Sequence, residues 1–164
     1  MKKYNITRWV RYVYLKVVRI DDSPEKVARG FAFGVIIGIF PTFGLGLIIA
    51  ALMAGPLRIN KAAAIIGTLV MNPWTSPLFW ALSFLSGSLM MGYSLADTLG
   101  LYDRMKAEPG AWKPLLGDRL LVPYITGNIT VTAGFAAASY FGALWSARAY
   151  MESKKRKRDR LQGR

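Results

Sequence analysis

The sequence predicts an all-α membrane protein with interrupted helices and a basic amphipathic helix at its N-terminus. Three uncharged stretches predict this class: Gly30 to Leu57, Ala62 to Ala96, and Leu120 to Ala147. Runs of this length favour a lipid bilayer, where a helix satisfies its backbone polar groups internally. Proline motifs break the first two stretches near their middles. Hydrophobic residues make up 53% of the chain, which is above the usual value for soluble domains.

Residues 1–22 form the first predicted element, a basic helix at the membrane surface. At about 100° per residue, Ile6, Trp9, Val13 and Val17 share one face, and basic side chains lie opposite. A helix of this kind is typical of membrane surfaces. Packing on the protein's own cytosolic face is the alternative, and the two arrangements can coexist.

The membrane domain, residues 23–147, is predicted to begin with a helix that Ser23 caps and Pro24 opens. We expect this helix to end near Phe40, because Pro41 lacks a backbone donor and disfavours helix at the residue before it.

The first hydrophobic region, 30–57, suits a re-entrant hairpin. Its helix from Gly30 to Phe40 would measure about 16 Å, roughly half of a ~30 Å hydrocarbon core. The return segment, Phe43 to Gly55, would reach only about 20 Å, which is short for a full crossing.

The second hydrophobic region, 62–96, is interrupted at Asn72-Pro73, about 15 Å after its start. The segment after this interruption, Leu78–Ala96, would extend about 28 Å and could cross alone. Residues 97–119 are predicted to be an extramembrane loop. The third region, 120–147, is predicted to be a spanning helix.

Charge predicts the topology. Six of the 22 Lys and Arg residues lie in residues 1–19 and eight lie in residues 148–164, the predicted basic tail. Short basic flanks stay in the cytoplasm, so both termini are predicted to be cytoplasmic and the chain to cross an even number of times. In one consistent path, the first region is re-entrant, the second crosses and the third returns. The alternative path is an arrangement as inverted repeats, in which the two interruptions lie on opposite sides of the membrane.

Two ladders of small residues are predicted to mediate helix packing. Small residues at four-residue spacing let another backbone approach closely. Each ladder is expected to pack against another helix, and the two ladders could pack against each other. Their members are Gly30, Gly34 and Gly38 in the first region and Gly134, Ala138 and Gly142 in the third.

The interruptions are the candidate binding site. Each following helix is expected to restart with a cap, Thr42 in the first region and Ser76 in the second. A helix that begins within the membrane directs free N–H groups and positive dipole at a cavity, which attracts anions. The candidate anion-binding residues are Pro41, Thr42, Phe43, Gly44, Asn72, Pro73, Thr75 and Ser76, with Arg58 and Lys61 drawing the anion in from the surface.

A purely structural role is the alternative for these motifs. In that interpretation the interruptions only bend helices, and Thr42, Asn72 and Thr75 satisfy the backbone groups that are freed.

Composition argues against other functions. The chain has neither cysteine nor histidine, which removes disulfides, imidazole chemistry and nearly every zinc or haem site, so no metal or cofactor is expected. Neither a nucleophile–base pair nor a nucleotide loop is recognisable, so we do not expect an enzyme. The basic tail is interpreted as a cytoplasmic anchor to anionic lipid headgroups rather than a nucleic-acid site.

The chain resembles a bacterial membrane family catalogued as domain of unknown function 2062. The resemblance covers about residues 20–147. The matching residues are Ser23-Pro24-Glu25-Lys26, Ala28, Gly30, Phe31, Ala32, Gly34, Pro41, Arg58-Ile59-Asn60-Lys61, Gly67-Thr68 and Asn72-Pro73.

The resemblance implies a small integral protein of the bacterial inner membrane. Some members are fused to glycosyltransferase-like domains, which this chain lacks. The re-entrant pattern is also distantly similar to families proposed to flip lipids, including carriers of isoprenoid lipid phosphates. This chain lacks the acidic residue that those families carry in their re-entrant segments.

Two functions are therefore expected. The first is a flippase-like transporter that moves an anionic lipid, of polyprenyl-phosphate type, or a small anion through a cavity between the two broken helices. The second is a non-transporting scaffold for a cell-envelope enzyme such as a glycosyltransferase. A chain this small is also expected to form a homo-oligomer.

Overall fold

The protein is all-helical in the parts that its computed structural model describes, which are residues 22–40, 42, 44–94, 96–97, 100 and 121–161. These parts contain five α-helices and no strand. The helices are α1 (Pro24–Ile39), α2 (Gly46–Met53), α3 (Lys61–Thr68), α4 (Ser76–Met90) and α5 (Val122–Leu161). The predicted surface helix and most of the predicted loop 97–119 lie outside the described residues.

The start of α1 follows the sequence prediction. The Ser23 hydroxyl oxygen accepts a hydrogen bond from the Lys26 amide, at 3.4 Å, and Pro24 occupies the first turn. These contacts confirm the predicted cap.

Glycines bring α1 and α3 into direct backbone contact. A Cβ added at Gly34 would overlap the Ala64 carbonyl oxygen, and one at Gly38 would come within 2.8 Å of the Thr68 carbonyl oxygen. Gly30 lies in the same way against Asn60. Successive turns of α1 therefore meet successive turns of α3 in the same order, so the two helices run parallel.

The start of α3 is tied to the start of α1 through Asn60, which is 1% exposed. Its amide donates to the Lys26 carbonyl at 3.1 Å. Its side chain donates to Asp22 at 2.9 Å and accepts from the Ala63 amide at 2.7 Å, which caps α3.

Helix α2 runs back alongside these two parallel helices and contacts both. It begins at Gly46, which lies against Ile37 near the end of α1. At its other end, Ala50 and Ala54 form a small core with Ala64 of α3. The chain thus rises along α1, returns along α2 and rises again along α3.

Helices α4 and α5 cross with their backbones in contact. A Cβ at Gly87 would overlap the Pro123 carbonyl oxygen, and one at Gly127 would overlap the Ser83 carbonyl oxygen. Further along, Phe79 of α4 packs edge-on against Phe135 of α5, with 4.9 Å between ring centroids. The pairing order shows that α4 and α5 are antiparallel.

Helix α5 is the longest of the described helices. It contains 40 residues, about 60 Å of helix. It meets the end of α1 at Asn128, within the stretch that also contacts α4. Further along, its Arg148 forms an ion pair with Glu25 at 3.0 Å. This hydrogen-bonded guanidinium holds the pKa of the Glu25 carboxyl below its usual value. The first turn of α1 and the basic half of α5 therefore lie at one charged end.

The core is built mainly from small side chains, and large apolar side chains lie outside. The residues buried around α1, α2 and α3 include Ala28, Ala32, Ala50, Ala54, Ala63 and Ala64. In contrast, Trp74 is 93% exposed, Trp145 is 76% exposed and Leu52 is 70% exposed. Among the described residues, no helix has both the length and the apolar character required to cross a membrane.

Several sequence predictions differ from the structure. The first glycine ladder packs on α3 rather than on the second ladder. Space is open within 4 Å of the Cβ positions of Gly134 and Gly142, and Ala138 is exposed, so this ladder packs against no described residue. The close contact of α5 is made earlier in the helix, at Gly127, because α5 crosses α4 there.

Two segment boundaries also differ. The helix predicted to continue from Leu78 to Ala96 ends at Met90, after which Gly92 adopts a left-handed conformation, with φ of +78°. The helix of the third region does not end at Ala147 but continues through the basic segment to Leu161.

The contact between α1 and α3 at Gly34 predicts that alanine destabilises the protein there and not at a glycine in open space. Gly34→Ala places a methyl group on the Ala64 carbonyl, and we expect a loss of about 2 kcal/mol in unfolding free energy. Gly142→Ala, the matched control, adds the same methyl group in open space and should be neutral or slightly stabilising. Thermal unfolding of the purified proteins, followed by circular dichroism, measures both. Equal melting temperatures would contradict the described α1–α3 contact.

Candidate functional site

The first interruption separates α1 from α2 and closes through local backbone hydrogen bonds. α1 ends at Ile39, and Phe40 is extended, with φ −65° and ψ 141°. The Thr42 amide donates to the Phe40 carbonyl at 2.7 Å, and the Leu45 amide donates to the Thr42 carbonyl at 3.0 Å. Gly44 has a φ of +89°, which glycine adopts without a Cβ clash. The turn is complete before α2 begins.

The prediction that Thr42 caps the second helix is wrong. The residue before α2 is Leu45, and it makes no side-chain capping hydrogen bond. The Thr42 hydroxyl instead donates to the Ile37 carbonyl at 3.4 Å. In a continuous helix that carbonyl would accept from the amide of residue 41, which is a proline and has no N–H. Thr42 therefore replaces the missing donor.

The second interruption is held by reciprocal hydrogen bonds between Asn72 and Thr75. The Asn72 Oδ1 accepts from the amides of Trp74, at 2.9 Å, and Thr75, at 3.2 Å. The Thr75 hydroxyl accepts from the Asn72 amide at 3.0 Å and donates to the Val70 carbonyl at 2.7 Å. The Asn72 Nδ2 donates to the Leu69 carbonyl at 3.3 Å, whose helical donor would have been the proline at position 73.

The predicted cap at Ser76 is also wrong. Ser76 is the first residue of α4, and the residue before it, Thr75, makes no side-chain capping bond. The Ser76 hydroxyl donates to the Asn72 carbonyl at 2.7 Å. The polar groups of this motif therefore serve the backbone of the interruption itself, as the alternative interpretation of the sequence described.

Both interruptions line one cavity of about 580 Å³. This volume lies within the range of pockets that hold small ligands. The described lining contains no charged side chain. It combines hydroxyl-bearing Thr42, Thr68, Ser76 and Tyr124 with apolar Phe40, Leu47, Leu69, Met71 and Trp80 and with Gly38, Gly44 and Gly46.

The cavity contains part of the predicted site. Thr42, Gly44 and Ser76 line it. Asn72 and Thr75, within the second interruption, do not line it, and Pro73 is exposed. Pro41 and Phe43 lie outside the described residues.

The two basic residues that the sequence analysis assigned to the site do not line the cavity. Arg58 and Lys61 are exposed next to Asn60, at the charged end. Along α3 this position lies roughly 12 Å from Thr68, which is at the cavity. Arg58 has a φ of +52°, and its turn leads the chain from α2 into α3.

The sequence analysis missed three residues at or beside the cavity. Thr68 and Tyr124 line it. Asn128, one turn after Tyr124, is 2% exposed, and its Nδ2 lies 3.4 Å from the Ile39 carbonyl oxygen at the end of α1. Asn128 could have been recognised in the sequence as an asparagine within an uncharged, mostly apolar stretch. A buried amide requires polar partners, so such a residue indicates a polar contact in the interior.

The chain belongs to a bacterial protein family without an assigned function. The family model described as "Uncharacterized protein conserved in bacteria (DUF2062)" matches residues 7–156, most of the chain. This match confirms the resemblance seen in the sequence motifs. The membrane location and the likeness to lipid-flipping families stay predictions. No curated protein and no solved structure is significantly similar to the chain.

The hydrogen bonds of the second interruption predict that the Thr75 hydroxyl is structurally required. Thr75→Ala removes the acceptor for the Asn72 amide and the donor to the Val70 carbonyl, so we expect a loss of about 1–3 kcal/mol in unfolding free energy. Thr75→Ser keeps the hydroxyl and should retain most of the stability. Thermal unfolding of both variants tests this, and equal destabilisation by Ala and Ser would show that the hydroxyl contributes little.

Proposed function

We propose that this DUF2062 protein is an integral protein of the bacterial cytoplasmic membrane that passes an anionic lipid or a small anion through the cavity between its two helix interruptions. The observation that carries the proposal is that both interruptions, about 30 residues apart in sequence, border one cavity. Paired interrupted helices around one cavity are typical of membrane transport sites.

The distribution of side chains supports a bilayer environment. Small and hydroxyl-bearing residues fill the interior, while the outer surfaces of α2, α4 and α5 expose large apolar side chains such as Leu52, Leu85 and Phe141. Monomeric soluble proteins rarely expose such extensive apolar surface. Interiors rich in small residues are typical of helices that pack within lipid.

The path of the chain supports the re-entrant arrangement. α1 leads away from the charged end and α2 leads back to it. Together they form a hairpin that reaches partway through the structure. α3 and α4 then continue in one direction, and α5 runs back beside them. Lys26, Arg58, Lys61 and Arg148 share the charged end, which would face the cytoplasm under the positive-inside rule.

The cavity lining supports an amphipathic ligand. The hydroxyls of Thr42, Thr68 and Ser76 donate to backbone carbonyls, so the Tyr124 hydroxyl is the one in the described lining that can donate to a polar headgroup. Phe40, Leu69 and Trp80 offer apolar contact to a hydrocarbon chain. The first residues of α2 and α4, Gly46 and Ser76, also border the cavity. Helix N-termini favour anions, typically by 0.3–1 kcal/mol each and up to about 2 kcal/mol when partly buried. A phosphate headgroup with an isoprenoid tail fits this combination, and a small anion would use its polar part alone.

A scaffold is the second candidate, and one observation favours it. Gly134, Ala138 and Gly142 form a face of α5 that packs against no described residue. Small-residue faces receive other helices closely in membranes. A second copy of the chain or a cell-envelope enzyme such as a glycosyltransferase would bind there without any transport.

Cysteine labelling in membranes distinguishes the two candidates, since the chain contains no cysteine of its own. Thr42→Cys and Ser76→Cys should react with a water-soluble maleimide, because both residues line the cavity. Leu85→Cys, on the outer surface of α4, should react only after detergent solubilisation. If the two cavity cysteines stay unreactive, the scaffold is preferred. A Leu85→Cys that reacts in intact membranes would contradict the bilayer location.

Reconstitution tests transport itself. Vesicles that contain the protein should move labelled polyprenyl phosphate, or a small labelled anion, between leaflets or compartments faster than empty vesicles. Leu47→Trp, which narrows the cavity, should lower the rate toward that of empty vesicles. Leu52→Trp is the matched control on the same helix, because Leu52 is exposed away from the cavity, and it should transport normally. Rates equal to empty vesicles for the unmodified protein would reject the proposal.

A further inference from the structure

The described lining of the cavity is sorted by exposure. Its exposed side chains are all hydrophobic: Phe40, Leu47, Leu69 and Trp80. Its hydroxyl-bearing side chains, in contrast, are buried or half-buried: Thr42, Thr68, Ser76 and Tyr124. The cavity therefore has a hydrophobic mouth, formed by the first set, and a more polar floor, formed by the second.

The mouth opens between α2 and α4, which pack on different helices. Helix α2 packs on α1 and α3, whereas α4 packs mainly on α5. Leu47 and Trp80 lie near the starts of α2 and α4 and border the mouth from these two sides. The neighbouring surface is hydrophobic as well, because Ile48 of α2 and Leu78 of α4 are exposed. The mouth thus opens onto the outer surface that the proposed function assigns to the bilayer.

The floor offers little to a small ion. The described lining has no charged side chain, and three of its four hydroxyls donate to backbone carbonyls, which leaves the Tyr124 hydroxyl as a donor. At the start of α4, Asn72 already accepts from the amides of Thr75 and Ser76, and position 77 is a proline. The dipole of α4 remains, but few N–H groups are free to replace the water that a bare ion would lose.

The mouth suits a hydrocarbon chain. A cavity of about 580 Å³ encloses a drug-sized molecule and not a long isoprenoid chain, so such a chain must leave through the mouth. A chain that passes between Leu47 and Trp80 stays in hydrophobic surroundings from the bilayer to the cavity, and it therefore gives up no favourable contact on binding.

We infer that the cavity binds a lipid phosphate and not a free small anion. The Tyr124 hydroxyl donates to the headgroup on the floor, and the chain leaves between Leu47 and Trp80 into the bilayer. The inference rests on the proposed function, which places the mouth against lipid, and it selects one of the two ligands named there. It also makes Tyr124 the residue that recognises the headgroup.

Competition binding tests the ligand class. Radiolabelled farnesyl phosphate, a short isoprenoid lipid phosphate, is added to the purified full-length protein in detergent. Its binding should approach one molecule per chain. A long-chain polyprenyl phosphate should displace it, because the additional length of the chain lies outside the cavity. Inorganic phosphate in large excess should displace none of it, and direct binding of labelled inorganic phosphate should not be detected.

Two tyrosine substitutions assign the hydrogen bond. Tyr124→Phe removes only the hydroxyl and should weaken the binding of farnesyl phosphate about tenfold, as expected for the loss of a hydrogen bond to a charged group. Tyr140→Phe is the matched control on the same helix, because Tyr140 packs against Phe141 and does not line the cavity. Its affinity for farnesyl phosphate should equal that of the unmodified protein.

Photolabelling tests the path of the chain. A polyprenyl phosphate with a diazirine in its chain, close to the phosphate, is added to membranes that contain the protein, and the labelled residues are identified by mass spectrometry. Leu47 and Trp80 should be labelled, and an excess of unlabelled polyprenyl phosphate should abolish this labelling. Leu85, on the outer surface of α4, is the control, because label there comes from bulk lipid and should persist.

The outcomes separate this inference from the proposed function. If inorganic phosphate displaces farnesyl phosphate as effectively as the long-chain lipid does, the inference is wrong and small-anion transport is preferred. A long-chain lipid that fails to compete, or labelling at Leu47 and Trp80 that unlabelled lipid does not reduce, would show that the chain does not leave through the mouth. Equal affinities of the two tyrosine variants would remove Tyr124 from headgroup recognition. If neither lipid nor inorganic phosphate binds, the proposed function fails together with the inference.

Discussion

Direct backbone contact at glycines is the constraint on which the rest of the structure depends. Gly34 lies against Ala64 and Gly67, so the backbones of α1 and α3 are in direct contact. The same kind of contact, between Gly87 and Gly127, fixes α4 on α5. Because α1 and α3 are parallel and held in one register, their C-terminal ends finish at the same level. The two interruptions meet in one cavity as a consequence of this register.

Each interruption is stable because a side chain replaces the donor that a proline removes. The Ile37 carbonyl, which loses the amide of residue 41, accepts from Thr42. The Leu69 carbonyl, which loses the amide of residue 73, accepts from Asn72. A polar residue directly before or after each proline thus supplies the hydrogen-bond donor that the proline lacks. The Thr42 hydroxyl and the Asn72 amide are therefore used by the backbone, as are the hydroxyls of Thr68 and Ser76. A ligand in the cavity must rely on the Tyr124 hydroxyl and on the helix ends.

Local chemistry explains how much of this could be predicted from the sequence. The cap at Ser23, the end of α1 near Phe40 and the interruption at Asn72-Pro73 follow from residues that act on their own backbone, and the sequence predicts them correctly. The partner of the first glycine ladder was not, because the spacing of Gly30, Gly34 and Gly38 shows that a close neighbour exists without showing which helix it is. Single glycines such as Gly87 give no periodic signal at all.

The misassigned caps have a related cause. Ser76-Pro77 matches the usual start of a helix, yet the oxygen that satisfies the amides before α4 comes from Asn72, four residues earlier. Thr75 stabilises the turn between Asn72 and Ser76. Which oxygen accepts from which amide in this turn is seen only in the three-dimensional structure. Tyr124 and Asn128 reach the site from a helix distant in sequence, so no local pattern relates them to the interruptions.

The end of α1 links the cavity to α5. Gly38 and Phe40 line the cavity, whereas the carbonyl of the residue between them, Ile39, lies 3.4 Å from the buried Asn128 Nδ2. The position of this cavity wall therefore depends on a contact with a residue that is 89 positions away in sequence. Because an unpaired buried amide would cost free energy, Asn128 favours the arrangement in which α1 ends beside α5.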